Sequence, residues 1–200
     1  MKRKNTLKLA ITGMLISIGL IIPIFSPVKI IIEPASFTLA SHVAVFIAMF
    51  ISPAVAISVA VGTAVGFLLG GFPIIVVFRA ATHILFSAIG SLYIRKINKD
   101  RMSAVKFRIF SFFIAVIHAA GELTVASMFY FSGNIGRAHI EKGFVISILI
   151  MVGLGTVIHS MIDFEIAGAI MLPIKKVFPV YFGEKVILRR NMDPTVFNNR

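Results

Sequence analysis

Cysteine is absent from the 200 residues, so disulfides and thiolate ligands are excluded and the chain carries no cysteine-based mark of a redox compartment. Charge is scarce. Asp, Glu, Lys and Arg make up 14% of the chain, against about 25% in a soluble domain. Hydrophobic residues make up 58%, and the mean hydropathy is +0.98. These values exclude a soluble globular domain and describe an integral membrane protein. Catalytic signatures are missing too. There is no H-E-x-x-H, no phosphate-binding G-x-x-x-x-G-K-[ST], no dinucleotide fingerprint and no nucleophile elbow, so ATP hydrolysis cannot come from this chain. No small-residue cleavage site follows KRKNTLK, and the apolar run behind it reads as a retained first helix. The formal charge of +12 does not signal nucleic-acid binding, because the cations sit at the ends of apolar runs rather than on one solvated face.

What is present is a series of six apolar stretches, at about 7–25, 37–51, 54–70, 74–94, 109–131 and 144–172. Together they predict an all-α integral membrane protein, a six-transmembrane-helix bundle over residues 1–176, with 177–200 as a cytoplasmic tail. The second stretch is short, and the sixth is long for one untilted crossing of about 20 residues. Gly62, Gly66 and Gly70 recur every four residues, a face on which another helix can approach closely. Gly13 and Ser17, near Ala10, form a similar small-residue step on the first helix. An even number of spans puts both termini on one side. Sixteen of the 20 cations fall on that side, counting the 95–108 connector. Lys29, Arg137 and Lys142 fall on the other, with Arg79 inside the membrane. The positive-inside rule then makes both termini cytoplasmic.

The informative residues are the polar ones within the spans. Arginine near a helix centre costs about 2.5–3.5 kcal/mol on insertion scales, so Arg79 needs a partner or a wet cavity. His83 lies one turn further along the same span, and His118 and Glu122 lie one turn apart on the fifth. Helical rise places Arg79, His83, Glu122 and His42 in the outer half of the bilayer. Two readings follow: Arg79 and Glu122 neutralise each other structurally, or they form a binding site. The i, i+4 pairs His118/Glu122 and His159/Asp163 have the spacing of metal ligands, but without H-E-x-x-H the reading assigns no metal, no cofactor and no catalytic residue. His159 and Asp163 are expected nearer the cytoplasmic side than His118 and Glu122. The outer connectors, SPVKIIIEPASFTLASH and SGNIGRAHIEKG, are long enough to cap a pocket, and no inverted repeat of broken helices appears. A self-sufficient transporter or channel, and a membrane enzyme, are the competing classes.

The runs EPASFTLASHVAVFIAMFISP, GTAVGFLLGGFPIIVVFRAATHILFSAIG and GTVIHSMIDF, with six helices and a long first outer connector, resemble the substrate-binding S components of energy-coupling-factor vitamin transporters. They are most similar to the niacin-specific members. The resemblance covers about residues 7–172. It implies a subunit in a prokaryotic plasma membrane that captures a vitamin from outside and delivers it with a coupling transmembrane protein and two ATPases. Members contact the coupling protein through an A-x-x-x-A step on the first helix. Here Ala10 is followed by Met14 at that spacing, a departure that shifts the expected interface toward Gly13 and Ser17. For an anionic, vitamin-sized ligand such as nicotinate, Arg79 supplies a carboxylate fork. Phe37, Phe72 and Phe78 are the expected flat walls, and His42, His83, His118 and Glu122 complete the expected binding set.

Overall fold

A computed structural model of the chain describes residues 2–32, 35–96 and 103–177. Helix α1 (Lys2–Phe25) leads into a hairpin of β1 (Lys29–Ile32) and β2 (Ala35–Thr38), followed by α2 (Val43–Ile51), α3 (Pro53–Leu69), α4 (Ile74–Lys96) and α5 (Ala104–Phe131). A short α6 (Arg137–Glu141) precedes a π-helical segment, Val145–Leu154, which runs directly into α7 (Gly155–Val177). Residues 97–102 of the basic connector, and the expected tail apart from Val177, lie outside the described residues.

Among the described residues, four helical segments are long and apolar enough to cross a membrane: Asn5–Phe25, Ile74–Lys96, Ala104–Phe131 and Val145–Met171. Their outer faces expose large apolar side chains, among them Leu9, Met14, Phe25, Leu85, Phe113 and Ile158. Water would penalise so much exposed apolar surface, whereas lipid accepts it. The protein is a multi-pass membrane protein of helical class.

The stretch expected as a second span, 37–51, divides in two. Phe37 belongs to β2, where it pairs with Ile30 across an antiparallel register running from Lys29↔Thr38 to Ile32↔Ala35. The β-branched run KIII favours a strand, and pairing with ASFT satisfies its backbone. Helix α2 therefore starts only at Val43 and has nine residues, about 13.5 Å of rise. Val43 to Phe50 are all buried. A helix apolar all round belongs inside a bundle, and α2 packs against α1, α3, α4 and α7. Ser52 ends α2 in extended backbone and at once caps α3, its side chain accepting from the Val55 N–H, with Pro53 in the first turn.

The glycine face of α3 is a packing face, as its spacing indicated. A Cβ on Gly62 would collide with Ile16 of α1, and one on Gly66 with Leu20. Gly70 instead caps the helix, and Gly71 turns the chain with φ of 72°. Elsewhere on α1, Ala10, Gly13 and Ser17 are exposed, and Gly13 has no neighbour within 4 Å of where its Cβ would stand.

A candidate ligand site beneath the hairpin

The polar groups of four helices meet at the hairpin end of the bundle. Arg79 on α4 and Glu122 on α5 are both buried, and the Arg79 Nη2 donates to Glu122 Oε2 at 2.6 Å. Thr156 on α7 donates to the same oxygen at 2.8 Å. The other carboxylate oxygen, Oε1, has the His118 Nε2 at 3.4 Å and the His83 Nε2 at 3.7 Å. One carboxylate thus ties three helices. Placing an ion pair in an apolar bundle is tolerable only with this density of partners.

A second carboxylate organises the other side. Asp163 of α7 accepts the backbone N–H of Ala40 at 2.7 Å and that of His42 at 2.9 Å. Its Oδ2 also lies 3.0 Å from the His42 Nδ1 and 3.3 Å from the His159 Nε2. Ala40 has a positive φ of 68°, costly for a residue with a side chain, and the bond to Asp163 holds that turn. Ser41 reaches the His159 Nε2 at 3.1 Å. The carboxylate takes the place of a side-chain cap at the start of α2, where His42 is the N-cap residue and makes no capping bond of its own.

Between the two carboxylates stand four imidazoles. His42 is in edge contact with His83, His118 and His159, with ring centroids 4.8, 4.6 and 5.0 Å apart, and His83 meets His118 at 4.8 Å. Over this cluster lies a cavity of about 400 Å³, lined among others by Arg79, His83, His42, Phe37, Phe67 and Phe72. Pro23 of α1, the hairpin from Ala35 to Thr38, and the segment Asn134–Gly136 before α6 form its rim. Phe37 is held over α7 by Gly155, where a Cβ would come within 2.5 Å of the ring.

All six expected binding residues, Arg79, His83, Glu122, His42, His118 and Phe37, fall in this one region. His118 lies behind His42 and His83 and does not line the cavity. Phe78, expected as a wall, is half exposed, packs toward Phe129 and does not line it either. Thr156 pairs with Glu122 and Ser160 with His118, so along α7 His159 is level with His118 and Asp163 stands a turn further from Glu122. His159 and Asp163 still reach the cluster through His42. Thr156, Ser160 and Ser41 were not singled out from the sequence, although GTVIHSMIDF contains Thr156, His159, Ser160 and Asp163 at helical spacing.

The chain is 38% identical over 185 residues to the niacin transporter NiaX of Lactococcus lactis subsp. cremoris (strain MG1363), an alignment covering 92% of this chain and 82% of that one. The chain belongs to the family of that transporter. Membership agrees with the resemblance to niacin-specific members carried by the three quoted runs, and the relative is a transporter rather than an enzyme. No family model matches the chain, and no solved structure matches it.

Proposed function

We propose that the protein is the substrate-capture subunit of an ATP-driven vitamin importer of the energy-coupling-factor type, and that its ligand is nicotinate. The observation that carries this reading is the buried Arg79 guanidinium on the wall of a cavity whose other walls include Phe37, Phe67 and Phe72. Nicotinate is a flat ring bearing one carboxylate. Ligand pockets of a few hundred Å³, mostly apolar with few polar anchors, suit such a molecule. A guanidinium has five donors, so Arg79 can serve Glu122 on one side and a ligand carboxylate on another.

In this reading the chain crosses the membrane six times with α2 as a short buried crossing, both termini are cytoplasmic, and the hairpin lies at the outer face. The cation distribution supports that orientation. The ligand enters under the hairpin and reaches Arg79 and the histidine cluster. Delivery requires a coupling transmembrane protein and two ATPases. The exposed flank of α1 with Ala10, Gly13 and Ser17 is the proposed contact for the coupling protein, since small residues permit close helix approach in lipid.

The test is calorimetric titration of the purified protein with nicotinate. Arg79→Gln is expected to weaken binding by about tenfold or more, in line with the 1.5–3 kcal/mol of a hydrogen bond to a charged group. Unchanged affinity in a folded Arg79→Gln protein overturns the assignment. Co-purification with two ATPases and a coupling protein tests the assembly, and uptake by this chain alone in liposomes would overturn it.

A further inference from the structure

The histidine cluster has the arrangement of a metal centre. One nitrogen from each of His42, His83 and His118 and one oxygen of Glu122 all lie within 4.8 Å of one another, and all four residues are buried. Four donors about 2.1 Å from a tetrahedral ion stand about 3.4 Å apart, so closing on an ion requires donor shifts of at most about 1 Å. The His83 Nε2 and the His118 Nε2 are buried without a hydrogen bond, 3.7 and 3.4 Å from the same carboxylate oxygen, Glu122 Oε1. A buried nitrogen left in this state is costly unless something else takes its lone pair or proton.

The surroundings orient these rings as a second shell does. His42 turns its Nδ1 to the Asp163 carboxylate, and His118 turns its Nδ1 to the Ser160 hydroxyl. Each arrangement leaves the Nε2 available toward the centre. Carboxylate or hydroxyl partners on the far nitrogen are the usual means of fixing a ligating histidine. Imidazole-rich donor sets without thiolate select zinc and its transition-metal neighbours over magnesium or calcium.

We propose that His42, His83, His118 and Glu122 hold a divalent transition-metal ion of the zinc class at the floor of the cavity. The ion would also resolve a charge problem in the nicotinate reading, on which this consequence rests. With neutral imidazoles, Arg79 and the two carboxylates Glu122 and Asp163 give the layer a net negative charge that Lys29 on the cavity lining only balances, leaving no net attraction for an anion. A divalent ion makes it net positive. An anionic ligand then meets the Arg79 fork and the ion together.

The experiment uses the full chain purified in detergent without a polyhistidine tag. Elemental analysis after zinc loading is expected to give one ion per chain. Cobalt(II) is expected to show the intense visible bands of a four-coordinate nitrogen and oxygen site, without thiolate charge transfer because cysteine is absent. His118→Asn and His83→Gln are expected to lose both signals while circular dichroism stays helical. Asp163→Asn, acting through His42, is expected to weaken metal affinity by about 10–100-fold. If either first-named variant fails to fold, the zinc-induced rise in melting temperature of the unaltered protein remains as a readout. Metal content at background, with a cobalt spectrum identical to the free aqua ion, overturns the proposal. Nicotinate titration of metal-loaded and chelator-treated protein runs in parallel. Weaker binding after chelation supports the charge role, and equal binding overturns that role while leaving capture intact. An ion held without nicotinate binding in either form supports the metal centre and overturns the nicotinate reading.

Discussion

On the hairpin side of the bundle, α2, α4, α5 and α7 bring together His42, His83, His118, Glu122, His159 and Asp163. A turn or two away along the same helices, Phe46, Phe86, Phe110 and Phe164 form an aromatic core, with ring centroids 5.0 Å apart for Phe46 and Phe164 and 5.4 Å for Phe46 and Phe86. The two halves share helices but not chemistry. Contacts in the aromatic half are numerous, weak and nondirectional, so losing one is shared among neighbours. In the polar half, Glu122 and Asp163 each hold several specific partners, so a single loss is felt directly. The comparison teaches where function and stability separate: the aromatic half sets how tightly the bundle packs, and the polar half sets both the fold of the rim and what the cavity accepts.

The strongest way to break this contrast is to remove one polar group. Glu122 neutralises buried Arg79 and is the meeting point of α4, α5 and α7. Glu122→Ala leaves a buried cation without its counter-charge, an expected loss of about 3–5 kcal/mol. Thermal unfolding in detergent is expected to show a large fall in the midpoint. The double variant Arg79→Met with Glu122→Gln is expected to recover much of it, because no unpaired charge remains. If Glu122→Ala costs no more than a conservative change in the aromatic core, the two halves are not distinct.

Asp163 comes next. It accepts two backbone N–H groups, from Ala40 and His42, and both are orphaned in Asp163→Ala. An unsatisfied buried polar group costs about 1–3 kcal/mol. The turn at Ala40, with its positive φ, is expected to loosen first. Backbone hydrogen exchange at 38–44 is expected to rise while the amides of α5 stay protected, and an even rise across the chain would show that Asp163 supports the bundle rather than the rim.

Much of this layer was legible in the sequence because ionisable residues inside apolar spans are few and expensive. Arg79, His83, His118 and Glu122 identify themselves by their intervals on two helices, and Arg79 and Glu122 do pair. Less legible was everything that depends on departures from uniform helical rise. The strand at Ala35–Thr38 takes Phe37 out of the second helix, because KIII finds a partner strand on the far side of a two-residue connection. The π segment Val145–Leu154 is another such departure. Hydropathy does not distinguish i→i+5 from i→i+4 bonding, so Val145–Leu154 looks like any apolar run. The serine and threonine partners, Ser41, Thr156 and Ser160, carry too little individual signal to be picked out before the fold places them.

The smallest expected effect sharpens the comparison from the apolar side. Met49 lies toward the C-terminal end of α2, buried, away from His42 at the helix start, and it fills the space beside Gly90 of α4. Met49→Leu conserves volume and polarity, and such exchanges cost under about 1.5 kcal/mol. Gly90 is what makes the site demanding, because a branched leucine cannot follow the thioether into that gap without a small shift of Ile114, which also faces Gly90. The unfolding midpoint is therefore expected to fall slightly, and nicotinate affinity is expected to stay unchanged. A drop in affinity comparable to that of Arg79→Gln would mean that packing around α2 is transmitted to His42 at its N-terminus. In that case the aromatic half would be part of the site, with α2 as the rigid element linking the two.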